Sequence, residues 1–250
     1  MTAFAGGLVL VVGVTFLGAV VAWFTHHRFG MEDSDNPAVG AVLTLVGGVQ
    51  AVLMMFVLIA LFDNGADART GTYTEADALV SVSWSANALP EPARTRIHEL
   101  AQEYATTVAD TEWQGLRDAT PTDDRSLVTL TELRRAIDDT TTTSDWQEDR
   151  RAEAADAAWD VYEARQARLE LAGGGVNAVV WLALLAGGLA TVVLTYLFDA
   201  LPRPAYLVTT AMVAGTMTLV LYVIFQLQNP FAGGAAIEPD AFRTALGRLG

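Results

Sequence analysis

Residues 39–62 read VGAVLTLVGGVQAVLMMFVLIALF. The run holds no Asp, Glu or Arg, and it exceeds the roughly 20 apolar residues that carry an α-helix across a bilayer core. A surface helix of a soluble protein would show a polar stripe, and this run shows none. Three further blocks share its character, near residues 4–24, 176–198 and 205–227. Together they explain why 52% of the 250 residues are hydrophobic. The reading is an all-α membrane protein with four transmembrane helices in two hairpins. Hairpin 1 covers residues 1–62, and a helical domain outside the bilayer covers 63–175. Hairpin 2 covers 176–227, and a tail covers 228–250.

The first block does not read as a signal peptide. Such a peptide has a basic leading region, a short apolar core and a small-residue cleavage site. Only Met1, Thr2 and Ala3 precede this run, and His26, His27 and Arg28 follow it, as at a membrane edge. Arg counts set the orientation. Arg69, Arg165, Arg168, Arg243 and Arg248 lie close to the spans on one side, against Arg28 and Arg203 in the two hairpin loops. Positive residues collect on the cytoplasmic side. Both termini and the intervening domain are therefore expected in the cytoplasm, and the spans in the cytoplasmic membrane.

The chain has no Cys and no Lys, and its formal charge is −14. Disulfides, thiolate metal sites and thiol nucleophiles are excluded. So strong an acidity argues against nucleic acid as a partner. The stretch from Asp63 to Gly175 carries eleven Arg and 23 acidic residues, a net −12. A salt-rich host and a GC-rich genome both account for such a composition. No phosphate-binding glycine loop, zinc-type histidine spacing or nucleophile motif is present, so the chain is not expected to be an enzyme. No cofactor or metal is expected either. His26 and His27 are adjacent, and adjacent helical residues point about 100° apart, a poor arrangement for sharing a metal. His98 stands alone, and all three read as surface or interface residues.

The middle stretch reads as helices. Glu75–Leu89 is the first, and Pro90 and Pro92 mark its boundary. After them Ile97, Leu100, Ala101, Tyr104 and Val108 recur at helical spacing. Pro121 to Asp124 reads as a turn, and Leu127, Leu130, Leu133 and Ile137 predict a further short helix. Thr140–Thr143 is a polar break. Ser144-Asp-Trp-Gln147 fits a capping box that opens a long helix, which Gly173–Gly175 ends before the third span.

Several segments together resemble the bestrophin-like family of prokaryotic membrane proteins. They are Glu75-Ala-Asp-Ala-Leu79, Ala88-Leu-Pro-Glu-Pro92, Arg96 through Leu100 with Tyr104, and Ala164-Arg-Gln-Ala-Arg-Leu169. Gln228-Asn-Pro-Phe-Ala-Gly233 and Ile237-Glu-Pro-Asp-Ala-Phe242 follow the last span. Asn229-Pro230-Phe231 also looks like the Asn-Pro-Phe that follows the last span of true bestrophins. The likeness runs from about Leu45 to the end, in the family's order. It implies a homo-oligomeric ring, a pentamer, around a central pore that is narrowed by the second span and passes small anions such as chloride. This chain has Gln228 where the family usually has an acid. It also lacks the acidic cluster with which true bestrophins help bind calcium, so a calcium clasp is not implied.

Residue chemistry also points to the second span. Val49, Gln50, Val52, Phe56 and Ile59 are the pore-lining candidates. Gln50 is the strongly polar side chain of the first hairpin's spans, and in hydrocarbon such a group must meet a partner or water. It faces either a pore axis or a neighbouring helix through a hydrogen bond. The apolar residues form either a hydrophobic constriction or a packing face. Thr44 can bond its own backbone. Gly47-Gly48 and Gly187-Gly188 permit close helix approach. Asn229, Pro230 and Phe231 read as a structural turn at the junction after the fourth span. Arg165 and Arg168 either draw anions, anchor to lipid phosphates, or pair with Glu163 and Glu170. The net −12 would favour cations in a vestibule, which leaves a cation-conducting member of the same fold as an alternative. A non-conducting membrane scaffold acting through its cytosolic helices is the other. The expected partners are membrane lipids, small inorganic ions and further copies of the chain.

Overall fold

The computed structural model describes residues 37–118, 120, 124–197 and 203–250. The first predicted span, the loop after it with His26, His27 and Arg28, residues 121–123 and the tip of the second hairpin lie outside the described residues. Every regular element among the described residues is helical. In chain order they are α1 (Pro37–Ala86), α2 (Ala93–Thr107), a π-helical turn (Val108–Glu112), α3 (Trp113–Asp118) and α4 (Arg125–Asp138). They continue with α5 (Asp145–Gly173), α6 (Ala178–Leu197), α7 (Arg203–Leu227) and α8 (Asp240–Leu249). The apolar segments of three of them, in α1, α6 and α7, are long and apolar enough to cross a membrane.

The chain divides into two compact units, one containing residues up to Phe62 with Gly175–Gln228, the other Asp63–Gly174 with Asn229–Gly250. In the first unit α6 packs on α7. Its core is Met54, Leu61, Leu184 and Ile224, with Leu53, Val57, Trp181, Met217 and Leu221 around them. Val179, Leu182, Leu189 and Met212 stay exposed. Apolar residues left outward over spans of this length match a hydrocarbon surrounding, in which burial carries no advantage over lipid.

The second unit has its own core. Buried side chains from α1 (Leu79, Val82), α2 (Ile97, Leu100, Tyr104), α4 (Leu133, Ile137) and α5 (Val161) meet Trp113, Phe231 and Phe242. The tail belongs to this core. Phe242, Ala245 and Leu249 of α8 are buried in it, and Gln102 Nε2 donates to Leu249 O at 2.8 Å.

The separate helix expected over Glu75–Leu89 is instead the end of α1, which runs unbroken for 50 residues. No proline interrupts Ala38–Ala86, and Gly65 and Gly71 each cost only about 1 kcal/mol in a helix interior. A continuous buried face from Ala68 through Thr72, Leu79 and Ala86 outweighs that cost. The α5 start follows the capping reading: Ser144 Oγ accepts from Gln147 N at 3.3 Å. The reciprocal bond is displaced by one residue, since Gln147 Oε1 accepts from Thr143 N at 3.0 Å.

Candidate functional site

Two polar constructions stand out, one in each unit. In the second unit, α5 buries a stripe of Ala154, Ala157, Ala158, Val161, Ala164, Arg165 and Arg168. The spacing is that of one helix face, so both arginines point into the protein. Arg168 Nε donates to Glu75 Oε2 at 2.7 Å, and its Nη2 lies 3.1 Å from Glu75 Oε1 and 3.0 Å from Glu112 Oε1. Arg165 Nη2 lies 3.5 Å from Glu112 Oε2, and its Nε donates to Ser126 Oγ at 3.2 Å. Ser126 in turn donates to Glu112. Tyr104 donates its hydroxyl to Glu75 Oε1 at 2.6 Å. Trp113 and Phe242 lie over the Arg168 guanidinium, with ring centroids at 5.5 and 5.8 Å.

Two positive and two negative groups are thus enclosed together and balance. Burial opposes the charge on Arg168, and the Glu75 and Glu112 carboxylates outweigh it, raising its pKa further. Burial, and then the Glu75 carboxylate, push the Tyr104 hydroxyl well above the ordinary tyrosine range. Tyr104 is therefore a neutral donor throughout the physiological range.

This placement corrects the expectation for Arg165 and Arg168. They are almost fully enclosed, so they neither meet lipid phosphates nor present charge to passing anions. Their partners are Glu75 and Glu112, not Glu163 and Glu170. Glu163 instead accepts from Trp159 Nε1 at 2.8 Å. Glu75, Glu112, Ser126 and Tyr104 had no place among the predicted site residues. The available signal was the register, because Arg165 and Arg168 continue the alanine stripe of α5 and Glu75 continues the apolar face of α1. Glu112 was hidden by the π turn, which breaks the 3.6-residue count just where the carboxylate enters the core.

Asn229, Pro230 and Phe231 lead into the same core. Asn229 Oδ1 accepts from Phe231 N at 2.9 Å, and its Nδ2 donates to Leu116 O at 3.1 Å. Phe231 is fully buried, edge-on to Trp113 at 5.3 Å. Trp113 Nε1 donates to Ile237 O at 3.0 Å, and Ile237 N returns to Pro230 O at 2.9 Å. His98 is half-buried and bridges α2 to the end of α1, with Nδ1 2.5 Å from Ser83 Oγ and Nε2 3.1 Å from Asn87 Oδ1.

In the first unit, Gln50 is 3% exposed, and its Nε2 donates to Leu184 O of α6 at 2.8 Å. Of its two readings, the interhelical hydrogen bond is the one the geometry realises, and a pore-facing Gln50 is corrected accordingly. The amide needs a notch in α6, since a Cβ on Gly187 would sit 1.9 Å from Gln50 Oε1. Gly47 faces the same helix, where its added Cβ would meet Thr191 at 4.0 Å. Thr44 Oγ1 bonds back to Gly40 O at 3.0 Å. The remaining candidates are outward: Val49, Val52, Phe56 and Ile59 are all exposed in the single chain, Phe56 by 63%.

A family model for the bestrophin-like domain matches residues 12–242. No curated protein matches the chain. Among solved structures, the chain is similar to a bacterial bestrophin homologue from Klebsiella pneumoniae. One variant of it shows a TM-score of 0.72 at 16% identity, covering 98% of this chain and 97% of that one. A second variant shows 0.73 at 15%, covering 96% and 97%. A structure of the homologue solved by Zn-SAD phasing shows 0.72 at 14%, covering 98% and 97%. At such identities the likeness is one of fold, whereas the family model spans nearly the whole chain. The chain therefore belongs to the bestrophin-like family of multi-pass helical membrane proteins.

Proposed function

We propose that this protein is the subunit of a homo-oligomeric ion channel, a pentamer in the cytoplasmic membrane with both termini cytoplasmic. Ions pass along an axis lined by the outward face of α1. Family membership supports the channel reading. The observation that carries it is that face itself: Val49, Val52, Phe56 and Ile59 are left uncovered by α6 and α7. A ring of such side chains forms a hydrophobic constriction. The resemblance favours small anions such as chloride as the permeant species. The proposal is of a pore and not of an enzyme.

A specific observation favours a second reading, conduction of cations. In the second unit the exposed side of α1 carries Asp63, Asp67 and Asp77. Beside it runs a groove of about 800 Å³ against α5, whose charged lining residues are Asp77, Asp160 and Glu163. Carboxylate rings select cations.

Planar-bilayer recording of the purified oligomer tests both. A steady current that Phe56→Ala enlarges supports the pore. Reversal potentials under a salt gradient then decide the ion by their sign. A protein that assembles and never conducts sinks the channel reading in favour of a membrane scaffold.

A further inference from the structure

We infer that Gln50 is the positioning residue that sets the rotation of α1 about its own axis, and so decides which face of α1 is turned outward; the inference rests on the channel reading above. In water the hydrophobic effect would orient an amphipathic helix. In a bilayer it cannot, because lipid tails are as apolar as the side chains of α1. Over residues 40–62 all side chains are apolar except Thr44 and Gln50. Thr44 is satisfied by its own helix at Gly40 O, so its bond is the same at every rotation. Gln50 is not. Among the described residues its amide meets Leu184 O of α6, and it fits there only because Gly187 has no side chain. A helix turned so that this face met lipid would leave a primary amide in hydrocarbon, which is strongly disfavoured.

The faces follow from helix geometry. Gln50, Met54 and Leu61 form the buried side of α1. At 100° per residue, Val52 and Ile59 lie about 200° and 180° from Gln50, on the opposite side, and Phe56 lies beside them. Holding Gln50 on α6 thus presents the proposed lining and hides Met54.

The chain has no Cys, so single cysteines can be placed without a background. Phe56→Cys and Met54→Cys would each be made in the full-length oligomer, with Gln50 and with Gln50→Leu. Their modification by a charged, membrane-impermeant thiosulfonate would be followed by current in planar bilayers. With Gln50 in place, the thiol at 56 reacts and current falls, and the thiol at 54 reacts at least about tenfold more slowly. In Gln50→Leu the contrast collapses, while oligomer size on gel filtration is unchanged. Gly187→Ala fills the notch with Gln50 retained and carries the same expectation should Gln50→Leu fail to assemble. An unchanged contrast in an assembled variant overturns the lock and leaves the channel reading standing. A thiol at 56 that never reacts, in a protein that never conducts, overturns both.

Discussion

Arg168 donates to two carboxylates and lies over two aromatic rings, all inside a core that excludes water. Removing one member of such a cluster leaves a buried charge without compensation, which costs about 3–5 kcal/mol. Arg168→Met is expected to lower the thermal stability of the purified protein by that order. Pairing it with Glu75→Gln removes a charge of each sign and should recover part of the loss in a double-mutant cycle, with Glu112 still balanced by Arg165. Arg168→Lys should restore little, since an ammonium cannot reproduce the forked contact. Tyr104 makes a second prediction. Its folded pKa is raised above the ordinary 10.0, so the stability it contributes is intact below pH 10. That stability is lost as pH rises through the folded value. In an alkaline titration followed by tyrosinate absorbance, Tyr104→Phe should remove no signal until the protein unfolds. A signal from Tyr104 near pH 10 in folded protein would contradict the buried arrangement.

Among the elements, the segment after α7 shows how a short motif acts through packing. Asn229 caps its own turn and ties it to the end of α3, and this delivers Phe231 against Trp113. Trp113 is the ring over Arg168, so the turn and the buried charges share one wall. Phe231→Ala is expected to cost about 3–5 kcal/mol, as large aromatic deletions in cores do. Phe231→Leu should cost clearly less, because it keeps most of the volume. Chemical denaturation in mild detergent separates the two. The exposed ion pairs of the same unit, such as Arg96 with Glu132 and Arg94 with Glu91, contribute little by comparison.

For the whole molecule, charge is the dominant surface property. The second unit carries thirteen Arg against 25 acidic residues, and four of these charges cancel inside its core. The remaining −12 lies toward solvent, where like charges repel and salt screens them. The melting temperature should therefore rise as sodium chloride is raised from low ionic strength to about 1 M, where the screening length is about 3 Å. A melting temperature that is flat or falling with salt would mean that the acidic surface is already neutralised. If the same charges face the conduction path, Asp67→Asn should shift the reversal potential toward anions without changing assembly.

Three of the apolar blocks, the face from Ile97 to Tyr104 and the Ser144 cap were legible in the sequence, because each depends on neighbours within a few residues. Hydrophobic length and helical periodicity are local properties, and they suffice for an all-helical membrane protein with a soluble helical unit. The roles of Arg165, Arg168 and Gln50 were not legible. Arg168 meets Glu75 across 93 residues of chain, and Gln50 meets Leu184 across 134. Whether a polar side chain faces lipid, a pore or another helix depends on which distant group arrives beside it, and on whether a glycine leaves room. Sequence by itself determined that these polar groups needed partners; only the tertiary structure decided which ones, because desolvation demands a partner without specifying where in the chain it comes from.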